Sequence, residues 1–284
     1  MGKDSSIQWC HHTFNPWWGC VRVSPGCENC YAEAFDKRVG RKDWGVQAPR
    51  RFFGDKHWAE PLKWDRAAAA AGERHRVFCA SMADVFEDRR DLDEQRDRLW
   101  KLIEATPHLD WLLLTKRPEN MPRMVPWRLG EPWPNVWVGT TVEDRKRASE
   151  RVGHLRAVPA VVRFLSCEPL IEDLGNIDLT GIHWVIVGGE SGPGARPFDF
   201  RWARDIETQC KLAGAAFFMK QAGACPRVVP GLATDRPMFS KMHVVGLRQT
   251  FAYRFKDGHG GDPAEWPAEF PREFPSDRTK ERNP

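Results

Sequence analysis

The chain reads as an α/β protein built on a full or partial (β/α) barrel, and three observations predict it. Short apolar runs rich in β-branched and aromatic residues recur from Val77 onward, stretches with helical spacing lie between most of them, and a polar or glycine-bearing exit follows each run. Runs that are continuously apolar, rather than alternating, are what a strand buried on both faces requires, and parallel sheets bury both faces. At 284 residues the chain can bury a sizeable core as one barrel or as two small domains.

Taken in order, a first strand is expected around Ile7 to Thr13, followed by a cysteine-bearing loop and a helix from Ala32 into Arg38. The segment up to about residue 76 reads as irregular apart from the Ala-rich stretch Ala67 to Ala71. The strands then follow at Val77–Ala80, Trp111–Leu114, Val136–Gly139, Val161–Leu165, Trp184–Val187 and Ala216–Met219. Helical spacing fills Asp93 to Ala105, Glu143 to Leu155 and Phe200 to Ala213. Seven strands exceed what a two-layer sheet usually needs and approach a (β/α) barrel, with a doubly wound sheet as the alternative. Beyond Gly223 prolines and glycines multiply, with one β-like stretch from Phe251 to Phe255 and an extended run from Asp257 to Pro275. The expected organisation is therefore a barrel over 1–222, including a cluster loop at 19–31, and a C-terminal appendage over 223–284 that wraps the barrel or ends disordered near Lys280.

Cys20, Cys27 and Cys30 are the most informative residues. Gly19, Pro25 and Gly26 around them supply the tight, permissive backbone on which three sulfurs can converge, and thiolates bind soft metals. A structural zinc site normally closes with a fourth ligand, whereas a [4Fe-4S] cluster on three cysteines keeps one iron open to a substrate or cofactor. Zinc is the runner-up, with Cys10, His11 or His12 as conceivable fourth ligands; no second CxxC is present. The other cysteines, Cys79, Cys167, Cys210 and Cys225, are scattered, which argues against a disulfide framework.

A net charge of +4, from 43 basic and 39 acidic residues, does not by itself announce nucleic acid. More unusual are 14 tryptophans against 2 tyrosines, six of them (Trp9, Trp17, Trp18, Trp44, Trp58, Trp64) in the first quarter of the chain. With Arg50-Arg51-Phe52-Phe53 they could serve base stacking and phosphate contact, or simply packing. No apolar run approaches a membrane span and the first residues lack signal-peptide order, so a cytoplasmic location without membrane contact is expected.

In a parallel barrel, chemistry belongs at the C-terminal strand ends. The residues falling there are His12 and Asn15; Ser81 and Asp84; Thr115, Lys116 and Arg117; Thr141, Glu143 and Asp144; Ser166 and Glu168; Gly188-Gly189-Glu190-Ser191; and Lys220 with Gln221. Lys116, Glu168 and Lys220 are the candidate catalytic residues. Ser81, Asp84, Gly188, Gly189, Glu190, Ser191 and Arg196 are the candidate cofactor-binding residues. The glycines allow close approach to a ligand and free N–H donors, Glu190 could accept from an amino group, and Arg196 or Lys220 could hold a carboxylate or phosphate. A plain strand-to-helix loop is the alternative for the glycine segment.

Trp9, Thr13, Asn15-Pro16, Gly19-Cys20 and Pro25-Gly26-Cys27-Glu28-Asn29-Cys30-Tyr31-Ala32 resemble the three-cysteine motif of a phage-type family of uncharacterised proteins, itself similar to radical S-adenosylmethionine (SAM) enzymes. The likeness continues through Ser81-Met82-Ala83-Asp84, Leu114-Thr115-Lys116-Arg117-Pro118, Val142-Glu143-Asp144, Ser166-Cys167-Glu168-Pro169-Leu170, Val187 to Gly192 and Lys220-Gln221. The resemblance implies a barrel holding a [4Fe-4S] cluster whose open iron chelates SAM, with an electron donor such as a flavodoxin or ferredoxin. Radical SAM enzymes usually show C-x3-C-x2-C with an aromatic before the last cysteine, whereas this chain has six residues in the first gap and Asn29 in that place. Their Gly-Gly-Glu segment follows an early strand, and here it follows a late one. Three substrate classes stay open, in this order: a nucleic acid, DNA or RNA, undergoing base repair such as photoproduct cleavage or base modification; a peptide or small metabolite; and a non-catalytic zinc- or cluster-stabilised nucleic-acid-binding protein.

Overall fold

Six short parallel strands form where the apolar runs predict them, and the first, expected around Ile7 to Thr13, is confined to His12–Thr13, in a computed structural model that describes residues 4–128, 130–228, 243–245, 250–252 and 255–275. Contacts divide the chain into two units, one built on Met1–Thr140 with Gly153–Arg163 and the other on Thr141–Val152 with Phe164–Ser276.

The first unit carries β1 (His12–Thr13), β2 (His75–Cys79), β3 (Leu109–Thr115) and β4 (Val136–Thr141), paired parallel in chain order. The second carries β5 (Val162–Cys167), β6 (Trp184–Gly188) and β7 (Ala216–Gln221), again parallel and in chain order. A doubly wound sheet reverses its strand order at a switch point. Neither unit does, and this one-way winding is that of a partial (β/α) barrel. β3, β4 and β6 are almost wholly buried, as their unbroken apolar sequences demand.

Among the described residues, five helices of eight residues or more accompany the strands: α1 (Tyr31–Arg38), α2 (Glu60–Ala71), α3 (Asp93–Glu104), α4 (Arg145–Arg156) and α5 (Phe200–Ala213). The Ala-rich stretch is the second half of α2, which begins with Pro61 in its first turn and stops at Gly72 in the left-handed conformation (φ 67°). α5 is capped by the Asp199 carboxylate, which accepts from the Arg201 N–H, and ends at Gly214 with φ 68°.

In the second unit β7 ends the parallel order, and the C-terminal segment runs along it. The Met219 N–H donates to the Pro271 carbonyl (3.0 Å), the Glu273 N–H to the Phe217 carbonyl (2.9 Å), and Arg272 reaches the carbonyls of Met219 and Lys220 (2.9 Å each). An exposed strand edge is a template for aggregation, and this segment covers it. Pro271, Arg272 and Glu273 make this cover, and Lys280 lies outside the described residues. Pro226–Val228 pairs with Phe198–Asp199 and with Thr250–Ala252, which also pairs with His243–Val245. Among the described residues no helix is long and apolar enough to cross a membrane.

Candidate metal and cofactor site

The cysteine loop is clamped before it reaches its first sulfur. Gly19 holds φ 110°, and a Cβ there would stand 2.3 Å from the Asp43 carbonyl oxygen, so only glycine fits. Its N–H donates to the Met82 carbonyl just past β2 (3.0 Å), and the Gly45 N–H donates to the Cys20 carbonyl (2.9 Å). Beneath the loop Arg50 is wholly buried, paired with Glu87 (2.6 Å) and donating to the carbonyls of Asp43, Gly45 and Ala48. Arg50 is thus a buried tie for the loop, the packing alternative of the two the sequence left open. Further along, Pro25–Cys27 forms a 3-10 turn, Cys30 stands immediately before α1, and the Tyr31 hydroxyl donates to the Ser81 carbonyl (2.7 Å).

The ends of β2 and β3 meet this loop through Asp84 and Arg117. One Asp84 oxygen accepts from the Thr115 hydroxyl (2.6 Å) and the Phe86 N–H (3.0 Å), and the other from the Lys116 N–H (3.1 Å) and Arg117 Nη1 (2.7 Å). With four donors on two oxygens, Asp84 is an anchor, and its carboxylate is already engaged. Arg117, 8% exposed, also donates through Nη2 to the Val21 carbonyl (2.8 Å) and stands 3.7 Å from Cys20 Sγ. Burial works against its charge, yet Asp84 and Cys20 hold the guanidinium above its ordinary value. Asn15 braces the same corner, its amide donating to Ser81 Oγ (3.0 Å) and its oxygen accepting from the Met82 N–H (2.7 Å). Arg117 touches the cysteine loop, and the neighbouring Lys116 N–H donates to Asp84. The sequence placed Arg117 at a strand end without showing what it would meet.

Cys20, Cys27 and Cys30 are free thiols, each partly buried. Among the described residues no group of three or more His, Cys, Asp or Glu side chains is drawn together to hold a metal ion. The donor set nevertheless suits a soft metal: three unpaired thiols within eleven residues, on a backbone fixed at Gly19 and at the start of α1. Burial pushes the Cys20 thiol up to about 12, partly opposed by Arg117. A bound metal removes that proton outright, because its own charge dominates the local field. His11 and His12 do not join the set. His11 stacks on His75 (5.0 Å between ring centroids) and accepts from the Arg76 N–H, and His12 stacks on Trp64 (4.6 Å), all around the start of β2, whereas Cys20 packs past its end. Cys10 is buried near Arg76.

The second unit places its own acids and bases at the strand ends. Lys220 Nζ lies 2.6 Å from Glu168 Oε1 as an ion pair off ideal hydrogen-bond geometry, while Ser166 Oγ donates to Glu168 Oε2 (3.2 Å). Gly188 leaves room for this pair, since a Cβ there would come within 3.1 Å of Glu168 Oε1. Gly189 and Gly223 serve chain packing: a Cβ on Gly189 would sit 2.2 Å from the Ala222 carbonyl oxygen, and one on Gly223 2.4 Å from that of Glu190. The Gly189 N–H, expected free for a ligand, donates to the Gln221 carbonyl (2.9 Å). Glu190 and Arg196, expected to receive ligand groups separately, are bound to each other by three hydrogen bonds of 2.6–2.9 Å. Ser191 follows on the partly exposed turn before Gly192. Glu143 is fully buried against Arg151 (2.8 Å).

Four of the six early tryptophans, Trp9, Trp17, Trp58 and Trp64, are buried, so packing accounts for them. Trp18 and Trp44 are partly exposed. Trp17–Trp18 pairs antiparallel with Arg51–Phe52, which lays the Arg51 guanidinium over Trp18 (4.6 Å) and Phe53 (5.1 Å) beside a 45% exposed Phe52.

A family model described as "Protein of unknown function (DUF5131)" matches residues 4–254. No curated protein matches the chain. Among solved structures, similarity is found to a cysteine-to-alanine mutant of spore photoproduct lyase with dinucleoside spore photoproduct, at 13% identity and TM-score 0.44, over 90% of this chain and 72% of that one. A cysteine-to-serine mutant of spore photoproduct lyase is similar at 16% identity and TM-score 0.44, over 89% and 72%. Neither likeness carries the functional reading.

Proposed function

We propose a function for this chain, which belongs to the family described as Protein of unknown function (DUF5131): an iron–sulfur enzyme of the radical-SAM-like kind that acts on nucleic acid. The observation that carries the reading is the loop of three free thiols at the C-terminal ends of parallel strands, with its first sulfur facing a buried arginine. Cys20, Cys27 and Cys30 would hold a [4Fe-4S] cluster, and the cluster would supply one-electron chemistry and an open iron for SAM. This chain's residues do the rest. Asp84, Thr115 and Asn15 fix the strand ends around the loop, and Ser81 holds Tyr31 at the start of α1. In the second unit Lys220 Nζ stands 2.6 Å from Glu168 Oε1, a pair that would suit general acid–base work. The stacked Arg51 with Trp18 and Phe53, beside exposed Phe52, supports nucleic acid as the substrate class, because bases stack on such faces while the guanidinium meets phosphate.

Anaerobic reconstitution with iron and sulfide, followed by metal analysis and electron paramagnetic resonance, tests the cluster. About four irons per chain are expected, lost in Cys20→Ala, Cys27→Ala or Cys30→Ala and kept in Cys79→Ala and Cys210→Ala. Stoichiometric zinc with no iron uptake would overturn the reading. On the reconstituted protein, binding of single- or double-stranded DNA, intact or ultraviolet-irradiated, should weaken steeply between two salt concentrations. Preference for irradiated DNA with turnover would identify base repair, and no binding to any of them at low salt would remove nucleic acid as the substrate.

A further inference from the structure

Arg117 is the second residue after β3, and a charged side chain this deeply buried needs a reason. Its donors are shared among three acceptors of different kinds: the Asp84 carboxylate at 2.7 Å, the Val21 carbonyl at 2.8 Å and Cys20 Sγ at 3.7 Å. The first two fix the plane of the guanidinium, since Asp84 is itself held by Thr115 and by the backbone of Phe86 and Lys116. The third is then directed by the geometry of the other two. Were Arg117 needed only to neutralise Asp84, a contact to the thiol would serve no purpose. An ion pair with spare, rigidly aimed donors is a device for stabilising added negative charge on the atom it faces.

We propose that Arg117 is a positioning residue that sets the reduction potential of the metal centre at Cys20; this rests on the cluster-binding reading above. When one electron from a low-potential donor enters a four-iron cluster, the net charge of the centre becomes more negative by one, with no bond made or broken. Hydrogen bonds to ligand sulfur and nearby positive charge favour that reduced form and raise the potential. Asp84 opposes the effect at longer range, so the net field at Cys20 is set by the Arg117–Asp84 pair. The pair also explains why both residues lie at the ends of adjacent strands: β2 and β3 are in fixed register from His75↔Leu109 to Cys79↔Leu113, which holds the carboxylate and the guanidinium in place beneath the loop.

The experiment is a redox titration of the anaerobically reconstituted full chain, poised with dithionite and mediators and read by electron paramagnetic resonance. Wild type, Arg117→Met, Arg117→Lys and Asp84→Asn are compared, with iron content and circular dichroism recorded for each. Arg117→Met should hold wild-type iron but a lower potential, so that at the wild-type midpoint its reduced-to-oxidised ratio falls about tenfold. Arg117→Lys should recover part of that ratio. Asp84→Asn should move it the other way, and this opposite shift is readable even if Arg117→Met fails to fold. Iron-loaded Arg117→Met and Asp84→Asn proteins that both titrate as wild type overturn the proposal. A wild type that takes up no iron overturns the parent reading instead.

Discussion

The strand ends of the two units carry the same kinds of residue and use them differently. In the first unit Asp84 and Arg117 are buried, every oxygen of the carboxylate is taken, and the spare capacity of the cation is turned on a sulfur. In the second unit Glu190 and Arg196 are closed on each other, while Lys220 and Glu168 stay partly open to solvent at 21% and 13% side-chain exposure. A buried, saturated pair serves as a scaffold because breaking it strands a charge. A partly open pair stays within reach of whatever approaches the strand ends. Burial, more than residue type, separates the two roles.

The largest expected effect tests whether the glycine segment of the second unit is packing or ligand cradle. Gly189→Ala would drive a Cβ into the Ala222 carbonyl oxygen, 2.2 Å away, and should destabilise the fold by about 3 kcal/mol or more. Gly192→Ala, with φ 91° and open space, should cost only about 1 kcal/mol from backbone strain. Urea denaturation of the two variants checks this, and equal stabilities would return the segment to a ligand-facing role.

The scaffold under the cysteine loop is tested next. Glu87→Gln leaves the fully buried Arg50 guanidinium without its counter-charge and should lose about 3 kcal/mol. The same urea series measures it. Glu190→Gln, whose partner Arg196 is 21% exposed on its side chain, serves as the mild control in the second unit.

The smallest effect separates strand ends from strand starts. His11 is held down to about 4, first by burial, then by Arg76 and His75, against the pull of Glu73. Its folded form is neutral, so the unfolded chain binds the extra proton below its ordinary value of about 6.5. The stability this group contributes is present above pH 6.5 and lost as pH falls toward 4, on the order of 2 kcal/mol. Thermal melts of wild type and His11→Gln across that window should converge at pH 4. Parallel pH slopes in the two proteins would place the acid sensitivity elsewhere.

Strand and helix positions were legible in the sequence because buried parallel strands and amphipathic helices write their periods into hydrophobicity. The helix expected over Phe200–Ala213 forms with those bounds. The cysteine loop was legible as a motif for the same reason that it is short and local. The partners of polar groups were not. Arg50, two residues before Phe52, reads equally as a surface cation or a packing residue, and Glu87, 37 residues away, draws it inside. Lys116 and Arg117 are adjacent and alike in charge, and the sequence does not show that Arg117 reaches Cys20 Sγ.

By itself, then, the sequence determined the alternation of strand and helix, the run of polar strand exits and the three-thiol loop, all of which depend on neighbours in the chain. Only the tertiary structure decided that Gly189 and Gly223 make room for backbone, that Glu190 belongs to Arg196, and that Arg117 faces a sulfur 97 residues before it. Those outcomes rest on distances of a few ångströms between residues far apart in the chain, and on a burial energy that depends on what each charge finds when it arrives.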